Sequence, residues 1–354
     1  MKNKISPVQA YSLLFISRIV STLTFVPPDL DAVGSDYVAA ALIAPPLVLA
    51  ASIMWLHLMS DGRTLIIRKV FFRNPKAEKS VRFIAVLYLL LVFTRNLSGL
   101  CVFAMSVLFE KVNAVVLLTV TAAAVIFVAL SGIEAIARLG FFGSVATLLS
   151  LAFIVFSLTG RFDANNLQPL FLNGASKPVL LSLTVLSGTI EPFLLFLMRR
   201  EVNDKIKKGF VWWWAAVFSV QILLTLCLYL GLGNVALRMF FPYHAMAELS
   251  RLSIARRMDS LLSTVWVLAS FIKCALCLHL ADNELKKISL GSSRVLTSVF
   301  TAVAFLISLL ALNNIGVYRF VNNPNINAAL NLPVILIVPI ILNAVVKINL
   351  KREK

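Results

Sequence analysis

The stretch LLSLTVLSGTIEPFLLFLMRR, residues 180–200, decides how this chain folds. A membrane-spanning helix needs about 20 mostly apolar residues, and this stretch supplies them. Its middle nevertheless holds Ser187, Gly188, Thr189, Ile190, Glu191 and Pro192. A charged side chain at that depth costs about 2.5 to 3.5 kcal/mol on insertion scales, and such residues usually face a bundle interior or a pathway. Gly188 lacks a Cβ and Pro192 lacks an amide hydrogen, so the helix is predicted to break over Ser187-Gly188-Thr189. A break frees backbone polar groups, which lipid tolerates only where they are buried in protein or line a cavity. Broken helices at the interface of inverted repeats are how many transporters hold substrate near mid-membrane.

The rest of the chain agrees with a membrane setting. Of 354 residues, 60% are apolar and 14% charged, and the mean hydropathy is +0.91. Soluble domains average about 45–50% and about 25%. Lys and Arg outnumber Asp and Glu by 33 to 16, which in a membrane protein points to cytoplasmic loops before nucleic acid. All four cysteines lie in apolar stretches. Cys274 and Cys277 form a CxxC without the βαβ context of a redox motif, and read as small residues on a membrane helix. Lys2 and Lys4 precede a long apolar run without an A-x-A cleavage site, which reads as a retained first span.

Ten stretches are predicted to span: 8–26, 37–59, 83–108, 112–130, 139–159, 178–198, 210–237, 260–281, 294–313 and 330–349. With the N-terminus in the cytoplasm, the inner segments carry 22 basic residues and the outer segments 8, as the positive-inside rule asks when both termini are cytoplasmic. Residues 1–354 then form one membrane domain. Ten spans divide into five and five, an inverted repeat over residues 1–159 and 160–354. The segment YHAMAELSRLSIARRMDSL, 243–261, reads either as an amphipathic helix on the outer interface or as a solvated loop helix.

Arg18, Arg95, Glu191 and Lys273 sit inside apolar spans. One carboxylate against three bases leaves positive charge over, which suits an anionic group such as a ligand carboxylate. Structural pairs that fix helix packing are the plainer reading. Inverted repeats make the first and sixth helices equivalent, so the first, SRIVSTLTFVPP at 17–28, is expected to break as well. Arg18 is the leading partner for Glu191, with Arg95 and Lys273 as alternatives. The expected substrate-binding residues are Arg18, Ser21, Thr22, Thr24, Arg95, Ser187, Gly188, Thr189, Glu191 and Lys273. There is no HExxH, G-x-S-x-G, P-loop or GxGxxG, and the three histidines have no metal-ligand spacing. No catalytic residue, metal or cofactor is expected, and no enzyme.

Several pieces, in order, resemble the spore germination permeases, the B subunits of Ger-type germinant receptors, within the amino acid–polyamine–organocation superfamily. KISPVQAYSLL (4–14) resembles the approach to that family's first helix, and AVGSDYVAAAL (32–42) its entry to the second. GIEAIARLG (132–140) is similar to its fourth-to-fifth loop, NNLQPLFLNGASKPVL (165–180) to an outer loop, and RRMDSLLSTVWVLASFIKCAL (256–276) to its eighth-helix region. Glu191 falls where the family has a Gly-Glu pair. The chain departs from the pattern at Val20 and Thr22, which stand where the family carries a Gly-x-Gly, and at Ile190. The resemblance implies ten helices in a five-plus-five inverted repeat and the sensing of a small germinant, typically an amino acid. It also implies the cell membrane or spore inner membrane, and assembly with a soluble-domain membrane subunit and a lipoprotein subunit. The alternatives are a proton-coupled amino acid transporter, with Glu191 carrying the proton, and a non-binding structural subunit that docks partners through loops 60–82 and 199–209.

Overall fold

The structure is a computed structural model that describes residues 4–24, 32–60, 75–109, 111–168, 174–203, 206–250, 259–288 and 293–352. The described residues are helical apart from turns and one isolated parallel bridge, Ile5 to Val202. In chain order the helices are α1 (Pro7–Leu23), α2 (Gly34–Leu58), α3 (Pro75–Phe103), α4 (Ala114–Leu130) and α5 (Ile133–Leu158). They continue with α6 (Ser176–Ser187), α7 (Glu191–Met198), α8 (Ile206–Leu232), α9 (Pro242–Leu249) and α10 (Asp259–Ile288). The last are α11 (Ser293–Asn313), α12 (Ile315–Val321), α13 (Pro324–Leu332) and α14 (Val338–Arg352).

Local chemistry sets many of these boundaries. Ser6 and Gln9 form a reciprocal capping box, with Ser6 Oγ accepting from the Gln9 amide at 3.2 Å and Gln9 Oε1 from the Ser6 amide at 2.9 Å. Pro7 comes next, at the first helical position, where its missing amide hydrogen removes no bond. Asn113, Asn314 and Asn323 cap α4, α12 and α13 through their side-chain oxygens. Gly132, at φ 90°, lets the chain reverse between α4 and α5, a conformation that a Cβ disfavours. That turn is tighter than the sequence suggests. Arg138, read as a loop residue, lies inside α5 and pairs with Glu134 at 2.5 Å.

Seven helical stretches among the described residues are long and apolar enough to cross a membrane, and two shorter apolar helices accompany them. The seven include α6 with α7, and α12 through α14, each taken as one stretch. Helix α1, at 17 residues, is shorter than a usual span. It runs unbroken past Arg18 and Thr22, so the expected break of the first helix does not fall within Pro7–Leu23. Residues 25–31, the remainder of that expected break, lie outside the described residues.

Helix α10 is the hub of the bundle. It runs along α3 and packs against α1, α4, α5 and α11. Its buried face is apolar except for Ser263, Ser270, Lys273 and the end that carries Asp282 and Glu284. The segment read as either an interfacial or a solvated helix is instead partly built into the body. Helix α9 packs between α8 and α10 with Tyr243 and Met246 buried, and residues 251–258 lie outside the described residues. Most of the 60–82 loop likewise lies outside them.

Candidate functional site

Helix α6 ends at Ser187, and Gly188 closes it with its amide donating to Thr184 O at 3.1 Å. Thr189 and Ile190 are not helical, and α7 starts at Glu191. The break therefore covers 188–190, one residue beyond the expected 187–189. Pro192 explains the shift. It has no N–H to return to the Gly188 carbonyl, so the ladder fails at that register and Ser187 stays helical. Gly188 also meets a close approach: a Cβ there would lie 3.1 Å from an Arg18 guanidinium nitrogen.

Glu191 is fully buried at the first position of α7, where the positive end of the helix favours a carboxylate. Ser17 Oγ donates to its Oε1 at 2.9 Å. The Lys273 ammonium stands 4.0 Å from the same oxygen and donates to the Ser17 carbonyl at 2.9 Å and to Ser21 Oγ at 2.6 Å. Glu191 Oε2 is buried with no hydrogen-bond partner among the described residues. Lys273 on α10 is thus the nearest base to Glu191.

Arg18, the expected partner, does not form that pair. Its Nε and Nη2 donate to Gln221 Oε1 at 3.2 and 2.8 Å, and Nη2 reaches the Val185 carbonyl at 3.3 Å. Its guanidinium carbon lies 5.6 Å from the centre of the Phe218 ring, within cation–π range. The reason is helical geometry. Ser17, Ser21 and Thr24 share one face of α1 at i, i+4 and i+7, and Arg18 and Thr22 share the next. The first face meets Glu191 and Lys273, and the second meets α8.

Two cavities follow from that division. The larger, about 140 Å³, takes in Ser21, Thr24, Arg95, Ser187, Gly188 and Lys273 of the expected set. The smaller, about 70 Å³, takes in Arg18 and Thr22 and shares Ser21 and Gly188 with the first. Thr189 and Glu191 line neither. Thr189 instead donates to Val185 O at 3.1 Å. Arg95 on α3 is partly buried at the larger cavity, and among the described residues its guanidinium has no acceptor.

Sequence reasoning missed most of the neutral lining. Asn96, Asn322, Asn327 and Asn331 border the larger cavity, and Gln221, Thr225, Tyr229 and Tyr243 the smaller. Three of the four asparagines, Asn322, Asn327 and Asn331, were signalled by the run NNPNINAALN at 322–331. Ser17 was signalled by the hydroxyl stripe on α1.

At the other end of α7 the chain is tied down. The Ile5 amide donates to Glu201 O at 2.8 Å, and the Asn203 amide to Ile5 O at 3.2 Å. Glu201 Oε1 accepts from Asn283 Nδ2 at 2.8 Å, with His279 Nε2 3.5 Å away. Close by on α10, Glu284 pairs with Arg82 at 2.5 Å.

A family model described as Spore germination protein matches residues 4–315. No curated protein sequence matches the chain. Among solved structures, a mutant manganese transporter from Eremococcus coleocola aligns with a TM-score of 0.56 at 12% identity, over 94% of this chain and 78% of that one. At that identity the likeness is one of fold alone. Among the described residues here, no three His, Cys, Asp or Glu side chains come together as a metal site.

Proposed function

The chain belongs to the spore germination protein family, and from that premise we propose that it is the permease-like, non-enzymatic subunit of a germinant receptor. It is a multi-pass membrane protein of transporter-like fold. In this reading it has ten spans in two inverted repeats, 1–159 and 160–354, with both termini cytoplasmic. It sits in the cell membrane or spore inner membrane beside a soluble-domain membrane subunit and a lipoprotein subunit. A small germinant binds in the cavity beside the broken helix. Arg95, Lys273, Ser21, Thr24, Ser187 and Gly188 form that site, while Arg18, Thr22, Thr189 and Glu191 hold its walls.

The observation that carries this reading is the 140 Å³ polar cavity at the break, bordered by two intramembrane bases. Polar groups are placed at such depth only where they are buried or serve a cavity. Orientation supports a sensing role. Ile5 and Glu201 mark the end of the bundle that carries the N-terminus, and Thr24, at the far end of α1, lines the cavity. With a cytoplasmic N-terminus, the Glu201 cluster closes the inner side and the cavity lies on the outer side.

The test is germination of spores that lack the gene, complemented with the wild-type chain or with Arg95→Gln. Release of spore-core contents is followed over a panel of amino acids, hydroxy acids and sugars. Wild type should restore the response to at least one solute, and Arg95→Gln should not. Gene-dependent uptake of a labelled amino acid without any germination response would favour the transporter reading. An unchanged response across the panel in the deleted spores would refute the receptor role.

A further inference from the structure

Taking the cavity beside the break as the ligand site proposed above, we infer that its ligand is a small carboxylate of net negative charge, such as a hydroxy acid, and not a zwitterionic amino acid. The charges decide this. Arg95 and Lys273 line the cavity, and among the described residues no carboxylate does. Glu191, which stands behind Lys273, is engaged by Ser17 and lies outside the lining. Arg95 has no acceptor among the described residues, so its planar fork is available to a bidentate carboxylate.

The neutral groups complete the pattern. Thr24, Thr184 and Ser187 spend their hydroxyl hydrogens on carbonyls of their own helices, at 2.6, 2.7 and 2.8 Å. Only their lone pairs remain for a ligand. Asn331 Oδ1 accepts from Tyr88 Oη at 3.0 Å, which leaves its NH₂ as a donor. The site therefore offers donors and positive charge for a carboxylate, and uncharged acceptors for a hydroxyl. An ammonium would find those same acceptors but no counter-charge, and it would face two cations. The volume, about 140 Å³, holds about ten water-sized sites, enough for a solute of a few heavy atoms.

The test uses purified full-length protein in nanodiscs and matched pairs that differ in hydroxyl against ammonium: glycolate and glycine, lactate and alanine, glycerate and serine. At least one hydroxy acid should raise the Tm by several degrees while its amino partner does not. Arg95→Gln should weaken that binding at least tenfold and leave the unliganded Tm unchanged or higher, because it removes an uncompensated cation. Stabilisation by an amino acid but not by its hydroxy partner would overturn the charge assignment and leave the germinant-site reading standing. Hydroxy acid binding that survives Arg95→Gln would overturn the role of Arg95. No stabilisation by any pair would overturn the inference, and the germination panel then decides separately whether the receptor reading falls with it.

Discussion

Lys273 Nζ and Glu191 Oε1 stand 4.0 Å apart with both side chains buried. Ser17 bridges them, giving its hydroxyl to the carboxylate and its carbonyl to the ammonium. Three helices, α1, α7 and α10, are thereby fixed against one another by three polar groups that would each be costly alone.

Removing one member should therefore hurt more than removing both. Lys273→Met strands a buried carboxylate, at a cost of about 3–5 kcal/mol, and should lower membrane abundance sharply. Lys273→Met with Glu191→Gln should recover much of that loss. Charge exchange between 191 and 273 should rescue better than exchange between 191 and 18. Western blots and thermal unfolding of these variants beside wild type check this, and an equal rescue by position 18 would contradict the geometry.

Arg18 depends on Gln221 for its acceptor. Gln221→Leu leaves the guanidinium with the Val185 carbonyl alone, at a cost of about 1–3 kcal/mol. Gln221→Glu keeps the acceptor and adds charge. The leucine variant should unfold at lower temperature than wild type and the glutamate variant should not. Identical melting curves for all three would show that the contact carries no stability.

Pro192 sets where the helix breaks. Pro192→Ala supplies an amide that can return to Gly188 O and extend the ladder through 188–190. Abundance should hold, because Pro192 stands in the first turn of α7, where proline costs little and alanine fits as well. Ligand response should fall, because a continuous helix closes the cavity wall. An abundant Pro192→Ala protein with a wild-type response would separate the break from the site.

Orientation can be read by labelling. The native cysteines are all buried, so introduced ones report without background. Cysteines at 2 and 353 should stay unlabelled by an impermeant maleimide on intact cells, and a cysteine at 163, in an exposed segment, should react. Labelling of 2 or 353 would reverse the assignment.

What the sequence made legible was whatever costs most in a bilayer. Glu191, Lys273, Arg18 and Arg95 stood out because charge inside an apolar span is rare, and Gly188 with Pro192 located the break to within one residue. What stayed hidden was pairing. Ser17 and Arg18 are adjacent in sequence, yet they point to different neighbours, since each step along a helix turns about 100°. Which face meets which helix depends on the packing of α1 against α8 and α10, and one sequence does not carry that. The lining amides and tyrosines escaped notice because a single neutral polar residue is cheap enough to occur anywhere. The segment 243–261 looked amphipathic because Ala245, Leu249, Leu252 and Ile254 alternate with Glu248, Arg251, Arg256 and Arg257, but in its described part, helix α9, Tyr243 and Met246 are buried against protein.

The hydrogen bonds between Ile5 and residues 201 and 203 have a mechanical meaning. They join the segment just before α1 to the lever formed by α7, with the break at 188–190 as its pivot. Any displacement of α7 about that pivot would be passed to the N-terminal segment through these two bonds, as well as to α1 and α10 through Ser17 and Lys273. The amides of Ile5 and Asn203 should then exchange with solvent faster once a ligand engages the cavity, so that the opening stretch of the polypeptide acts as the tell-tale of what happens half a membrane away.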